Sequence, residues 1–414
     1  MISLVQAKTL ALASIEPGPI ERLPLLDAQG RYLTEGLFAR RGAPPFDNSA
    51  MDGFAVSSAD LAGAKKDSPQ TLKIIGEVFA GDPLPDRDLL SGEAMRIYTG
   101  APIPFGADAV LKSEHSSDDG QRVVAFAAVE PGANVRRRGE EYREGDLLLA
   151  AGTRLDPVAL GLCAAVGLMT VPVRAWPRVA LLTVGDELAQ PGQLAQAHQI
   201  FDSNSTLLAA LAADAGAAVV ALEHCADRDD QLARAFERLL PEADLVVTAG
   251  GAANGKRDRV KGVLQQLGGT LGFDGVSIRP GKPVGLGLLR RVPVAILPGN
   301  PLAAAVTFDQ LVRPMILKRL GVVEQRRRIR ATLEAPQRKP PGLTAFLPAR
   351  WDGAQLKLLN PAAGQLRGWQ GAEGWVVLPA DLTELPAGAP VDFEAFAFPA
   401  YQGISPFAHE DDTH

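Results

Sequence analysis

The sequence predicts an α/β multidomain chain: a central doubly wound α/β domain, an inserted β-rich domain, an N-terminal mostly helical linker domain and a C-terminal small β-barrel. Three observations carry this. Between residues 178 and 320, short apolar runs alternate with helical periodicity, and each run ends in glycine or a carboxylate, the pattern of parallel strands joined by crossover helices. Between residues 71 and 129 the runs are short, and Gly81-Asp-Pro83, Ser91-Gly92 and Asp118-Asp-Gly120 separate them as turns. Beyond Lys318 short strands return with Gly and Pro turns between them, which suits a small barrel. The expected boundaries are 1–40 plus 141–176 for the linker domain, 41–140 for the insertion, 177–322 for the α/β domain, 323–405 for the barrel and 406–414 for a polar tail.

Composition narrows the class. A chain of 414 residues spans two to four domains at roughly 100–200 residues each. A hydrophobic content of 46% supports substantial cores, and a net charge of −6 argues against a general nucleic-acid binder. The two cysteines, Cys163 and Cys225, are too few for a disulfide framework and fit a reducing compartment. Met1–Ile15 reads as an amphipathic helix and not as a leader, and no apolar run is long enough for a membrane span. A cytoplasmic protein is the expectation.

Along the chain, Pro44-Pro-Phe-Asp-Asn-Ser-Ala-Met-Asp-Gly-Phe-Ala-Val56 is turn chemistry leading into an apolar strand, and places Asp52 on a loop. Thr99-Gly100 offers a hydroxyl and a bare N–H, as an anion site or a plain turn. Val135-Arg-Arg-Arg-Gly-Glu-Glu141 sets arginines beside carboxylates, either a solvated face or an anion site. Asp156-Pro157 opens a helix that stops at Gly167, with Asp as N-cap and Pro at N1.

The α/β part starts at Arg178. Strands are expected at 179–183, 218–222, 244–248 and 292–297, with helices from Leu207, over 231–240, over 259–267 and over 302–320. The loops that follow these strands hold Asp186 and Glu187, Asp227, Gly250 and Gly251 running on to Asp258, and Pro298-Gly-Asn-Pro301. In an open parallel sheet such loops share the carboxyl edge, where ligands bind. Carboxylates on that edge, with Arg279 and Lys282 nearby, suggest a phosphate ligand and a divalent cation of the Mg²⁺ type, which takes carboxylate and phosphate oxygens.

Taken together these motifs resemble the molybdopterin molybdenumtransferase family, which includes the C-terminal domain of gephyrin. The resemblance runs from about Pro44 to about Phe396 in the family's order. It rests on the Pro44–Val56 stretch, Thr99-Gly-Ala-Pro-Ile-Pro104, Arg136-Arg-Arg-Gly-Glu140, Gly185-Asp-Glu-Leu188, Asp202-Ser-Asn204, Pro280-Gly-Lys-Pro283 and Leu297-Pro-Gly-Asn-Pro301. It implies an elongated homodimer of four-domain subunits, with a central domain built like the smaller pterin-binding adenylyltransferases and a dimerisation role for the linker domain. It implies insertion of molybdate into adenylylated molybdopterin with release of AMP and Mg²⁺ bridging the phosphates. The site would lie between the α/β domain of one subunit and the β-rich part of the other. Upstream would stand the molybdopterin adenylyltransferase, downstream molybdoenzymes or their chaperones.

Carried over by position, Asp52, Thr99, Glu187, Asp227 and Asp258 would be catalytic, and Glu187, Asp227 and Asp258 would hold the metal. Gly250, Gly251, Arg279, Lys282, Pro298, Gly299, Asn300, Pro301, Arg137, Glu141 and Arg350 would bind substrate. The chain departs from the family pattern in places. Ala253 replaces a serine, Lys256 an acid and Gly275 a frequent lysine. Glu141 stands for Asp, and Pro348 for an arginine, leaving Arg350 as the nearest guanidinium in that stretch. These departures motivate a second reading, a non-catalytic paralogue that binds the pterin cofactor and delivers it to a client molybdoenzyme.

Overall fold

The computed structural model describes residues 1–251, 259–323, 326, 328–359 and 365–396. They form two compact units, one of residues 1–34 with 171 onward, the other of residues 35–170.

In the first unit, helix α1 (Leu4–Ala13) is opened by a capping box in which Ser3 and Gln6 satisfy each other's backbone N–H. The α/β part follows with strands β1 (Arg178–Val184), β2 (Ala218–Cys225), β3 (Leu245–Ala249), β4 (Thr270–Asp274), β5 (Gly285–Leu289) and β6 (Val292–Leu297). They form a six-stranded sheet in the order β2-β1-β3-β6-β5-β4. Helices α2 (Ser203–Asp214), α5 (Pro301–Thr307) and α6 (Arg313–Arg319) cover one face together with α1. Helices α3 (Asp229–Leu239) and α4 (Arg259–Gln266) cover the other. Burial on both faces explains why β1 and β3 read as unbroken apolar runs and not as alternating ones.

Strands β2, β1, β3 and β6 run parallel. Strands β5 and β4 are antiparallel, which the alternating sequence pattern did not suggest. The reason is local. Arg290 and Arg291 both adopt positive φ, 49° and 70°, and close a two-residue hairpin between Leu289 and Val292. A two-residue turn with both central residues left-handed reverses the chain and forbids a crossover.

Between α5 and α6 the helix widens into one π turn, Phe308–Val312. Pro314 lies just beyond and cannot donate a backbone N–H, so the normal ladder fails there. The widened turn holds Gln310, fully buried, against Lys8 of α1 (2.7 Å) and Glu394 of the C-terminal part (3.2 Å). Buried Glu394 is further neutralised by Arg328 at 2.9 Å, as a carboxylate out of water requires.

The C-terminal part is a closed barrel of Arg328–Leu333, Thr344–Trp351, Gln355–Leu358, Gly374–Leu378 and Pro390–Ala395, closed by pairing of the second strand with the fourth. Alternate residues such as Phe346, Trp375 and Phe393 fill its interior or pack it on the α/β part. A short strand of the α/β part, Ile278–Arg279, pairs in parallel with Thr344 and Ala345 at the start of the second barrel strand.

The second unit holds a six-stranded sheet of Ala109–Lys112, Gly53–Val56, Glu93–Ile97, Lys65–Val78, Arg122–Ala127 and Ser116–Asp118, in that spatial order. Phe54, Val56 and Leu111 pack on one face, and Ala55, Val110 and Ile97 on the other. The helix Pro157–Ala165 also belongs here, with Asp156 capping the Ala159 N–H at 2.8 Å. None of the described helices is long and apolar enough to cross a membrane.

Candidate active site

The carboxyl ends of β1, β3 and β6 bring three loops together. Gly250 follows β3 with φ +93°, and a Cβ there would lie 2.2 Å from the Val184 carbonyl oxygen at the end of β1. Only glycine fits so close a backbone approach. A Cβ on Gly299, after β6, would meet Gly250 Cα at 3.4 Å, so these loops touch backbone to backbone. Pro298 is buried below them. Asn300 spends its side chain on α5, accepting the Leu302 and Ala303 N–H groups at 3.1 and 3.3 Å with Pro301 at the first helical position. Asn300 and Pro301 therefore shape the edge through the backbone.

Two residues that the sequence reading saw only as part of a motif stitch the loops together. Asn204, on the first turn of α2, donates Nδ2 to the Gly299 carbonyl at 2.7 Å. Asp202 caps the same helix through the Ser205 N–H at 3.0 Å and accepts the Thr183 hydroxyl of β1 at 2.6 Å, with both partners buried. Their signal was the Asp-x-Asn spacing ahead of a helix.

The carboxylates sort themselves unevenly. Asp186 Oδ1 accepts the Asp227 backbone N–H at 3.1 Å, which places the β1 and β2 loops side by side. From the sequence Asp186 is an acidic strand end with no expected role in the site. Glu187 folds back over its own loop, with Oε2 only 2.7 Å from where a Cβ on Gly185 would sit. Burial, and then the negative charges of Asp227 and Glu223, raise the Cys225 thiol to about 11, with Asp186 adding to the shift and Arg238 opposing it. Cys225 is buried in the core at the end of β2, and its thiol form is favoured there. Asp258, with Ala253 and Lys256, lies outside the described residues.

A cleft of ≈ 470 Å³ separates this edge from the barrel, lined by Arg279, Pro298 and Asn300 on the α/β side and by Gln337, Arg338, Phe346 and Pro348 on the other. Arg279 is exposed there and has no acidic partner among the described residues. Lys282 is exposed three residues on, where its carbonyl accepts the Val276 N–H at 3.0 Å. Gly281 between them has φ +112°, and a Cβ would strike Thr307 of α5 at 2.4 Å, so the loop is seated on that helix. Arg350 does not line the cleft. Its Nε donates to the Gly371 carbonyl at 3.3 Å.

In the second unit the exposed loop carboxylate of Asp52 accepts both the backbone N–H and the hydroxyl of Thr99 through one oxygen, each at 2.8 Å. These two donors, the backbone N–H first, hold its pKa below the ordinary carboxylate value. Arg137 pairs with Asp47 at 2.7 Å and its N–H is held by Glu140 at 2.8 Å. Burial alone would raise Asp47, but the Arg138 N–H and then Arg137 outweigh it and lower the pKa. The Glu141 N–H is bound by the Ala43 carbonyl at 2.9 Å, and its side chain is exposed.

Comparison with known proteins places these features in a lineage. Residues 2–167 match the MoeA N-terminal region (domain I and II), residues 180–318 a probable molybdopterin binding domain, and residues 330–396 the MoeA C-terminal region (domain IV). A molybdopterin molybdenumtransferase 2 of Mycobacterium tuberculosis is 37% identical over 378 residues, covering 88% of this chain and 92% of the relative. A molybdopterin molybdenumtransferase of Synechococcus elongatus is 34% identical over 404 residues, covering 95% and 99%. The crystal structure of a molybdopterin biosynthesis MoeA protein from Pyrococcus horikoshii superposes with a TM-score of 0.83 at 30% identity, covering 95% of this chain and 99% of that one. The chain belongs to the molybdopterin molybdenumtransferase (MoeA) family.

Proposed function

We propose that this protein inserts molybdate into adenylylated molybdopterin and releases AMP, a step of molybdenum cofactor assembly. The relatives that match it over nearly their whole length carry that transferase name. The structural observation that supports the reading is the cleft beside the Gly250–Gly299 edge, with the guanidinium of Arg279, which has no acidic partner among the described residues, at its wall. Exposed backbone on that edge accepts a flat pterin or a phosphate without side-chain hindrance. Arg279 and Lys282 neutralise phosphate or molybdate oxygens. Water adds to the adenylyl phosphorus and the bridging P–O bond breaks, so the pterin keeps its own phosphate and AMP leaves. Asp227 orients that water and takes up its proton, and Asp52, whose ionised form Thr99 favours, is a further proposed catalytic carboxylate.

Mg²⁺ belongs to the same proposal. The donors fit a hard cation, being oxygen-only: Asp186 and Asp227 lie side by side, with Glu187 on the adjoining residue. Among the described residues no group of three His, Cys, Asp or Glu forms a closed metal site. Mg²⁺ needs none, since it is commonly held by one or two carboxylates plus phosphate and water. When bound it would supply positive charge to the phosphates, and Asp258 remains a further proposed carboxylate ligand beside Glu187 and Asp227. The four-domain division, the homodimer, the roles proposed for Arg137, Glu141 and Arg350, a cytoplasmic location, and exchange with an adenylyltransferase and with molybdoenzymes are further parts of this reading.

The test is AMP release from adenylylated molybdopterin by the full chain, with and without molybdate and Mg²⁺. Stoichiometric AMP that requires both is expected, and Asp227→Asn should lower the rate on the order of 100-fold with the melting temperature unchanged. Binding of the pterin without AMP release would establish the delivery paralogue instead.

A further inference from the structure

We propose that Arg338 is the barrel-side cation of the cleft, forming with Arg279 an oxyanion subsite for which Glu384 is the removable counter-ion. This rests on the reading of the cleft as the place of the anionic substrate. The barrel contributes few basic groups to that wall. Lys339 commits its ammonium to the carbonyls of Leu343 (2.9 Å), Ala380 (3.3 Å) and Pro340 (3.4 Å), so it serves the wall and not a ligand. Pro348 brings no charge, and Arg350 is turned to the Gly371 carbonyl. Arg338 remains. Its side chain is 83% exposed, and its Nε meets Glu384, whose side chain is 64% exposed, at 3.0 Å.

The backbone explains the pairing. Arg338 and Glu384 are register partners in the short antiparallel ladder Gln337–Arg338 with Glu384–Leu385, so both side chains leave the same face of the ribbon. A pair this open to water is weak and salt-screened. An incoming oxyanion offers the same guanidinium a fork of two parallel N–H···O bonds and displaces the glutamate. Two guanidiniums then face one dianion, where before one of them was neutralised. Molybdate and the nucleotide phosphate share this chemistry.

The experiment measures AMP release while titrating molybdate and adenylylated molybdopterin separately. Arg338→Ala should raise one half-saturating concentration about tenfold, the loss of one charge-assisted contact, with kcat unchanged. The substrate whose value moves is the one that occupies the subsite. Arg338→Lys should recover part of the loss, and Glu384→Gln should lower the same concentration about two- to threefold, the removal of a weak competitor. Arg330→Ala, a barrel arginine paired with Asp392 away from the cleft, is the unchanged control. Equal half-saturation in wild type and Arg338→Ala, or a fall in kcat alone, overturns the inference while leaving the transferase reading in place. If the wild type itself releases no AMP, that reading fails. Arg338 is then judged by calorimetric binding of molybdate and of AMP to the full chain, where tenfold weaker binding of either by Arg338→Ala supports the subsite and equal binding of both overturns it.

Discussion

The carboxyl edge of the α/β sheet and the exposed loops of the inserted sheet both present groups suited to anions and protons, by opposite means. At Gly250, Gly299 and Asn300 the edge is shaped by backbone approach and buried caps. At Asp52–Thr99 and Asp47–Arg137 it is side-chain bonding at the surface, on loops with room around them. The first arrangement ties the site to the stability of the domain. The second lets the chemistry vary with little effect on the fold.

The comparison breaks most visibly at glycine. Gly250→Ala places a methyl 2.2 Å from the Val184 carbonyl oxygen at φ +93°, and should cost upwards of about 3 kcal/mol, strain and clash together. Gly100→Ala has φ +85° but its nearest neighbour at 3.5 Å, and should cost about 1 kcal/mol. Denaturant unfolding followed for each unit reads both, and equal losses would erase the distinction. Next come the acids. Asp202→Ala removes an N-cap and the short bond of the buried Thr183 hydroxyl, which keeps only the Glu223 carbonyl at 3.4 Å, about 2 kcal/mol, whereas Asp47→Ala loses an exposed pair worth at most about 1 kcal/mol. A larger loss at Asp47 would show that the surface loops also carry the fold.

The smallest effect sharpens the contrast. Thr99→Val removes one of the two donors on Asp52, so the Asp52 titration seen by NMR should move up toward the ordinary carboxylate value. The sign follows from linkage. A carboxylate with a lowered folded pKa contributes stability above its unfolded pKa and loses it as pH falls through the folded one. Thr99→Val should therefore lower the melting temperature slightly at neutral pH, and its difference from wild type should vanish as pH falls through the Asp52 pKa. An unmoved Asp52 titration would mean that the backbone N–H alone sets it.

Much of this was legible in the sequence because its signals are local. Val292–Leu297 reads as a strand from its apolar run, Asp156-Pro157 as a helix start from cap chemistry, and the five barrel strands from their turns. The glycine-rich loops announced a backbone-built edge. What stayed hidden depends on contacts distant in sequence or on atypical turn residues. Arg290-Arg291 lacks the Asn or Gly that normally marks a left-handed hairpin, so the antiparallel β5 and β4 went unseen. Asp186 looked no different from Glu187 until the neighbouring loop was placed against it. Arg338, in a stretch read only for strands and turns, reaches the cleft because the barrel folds back on the α/β part.

Gly275 sets what a cation would meet in the turn it occupies. Its φ is +84°, its N–H binds the Val284 carbonyl at 2.9 Å and its carbonyl receives the Ile2 N–H at 3.1 Å, while a Cβ would press on Met1 at 3.1 Å. A basic residue introduced there meets a backbone already committed to a shape that L side chains rarely adopt. A basic residue at this position would carry the strain of a positive φ, about 1 kcal/mol, and would have to push aside the exposed Met1 side chain. A cation placed on a loop with space around it enters without that cost.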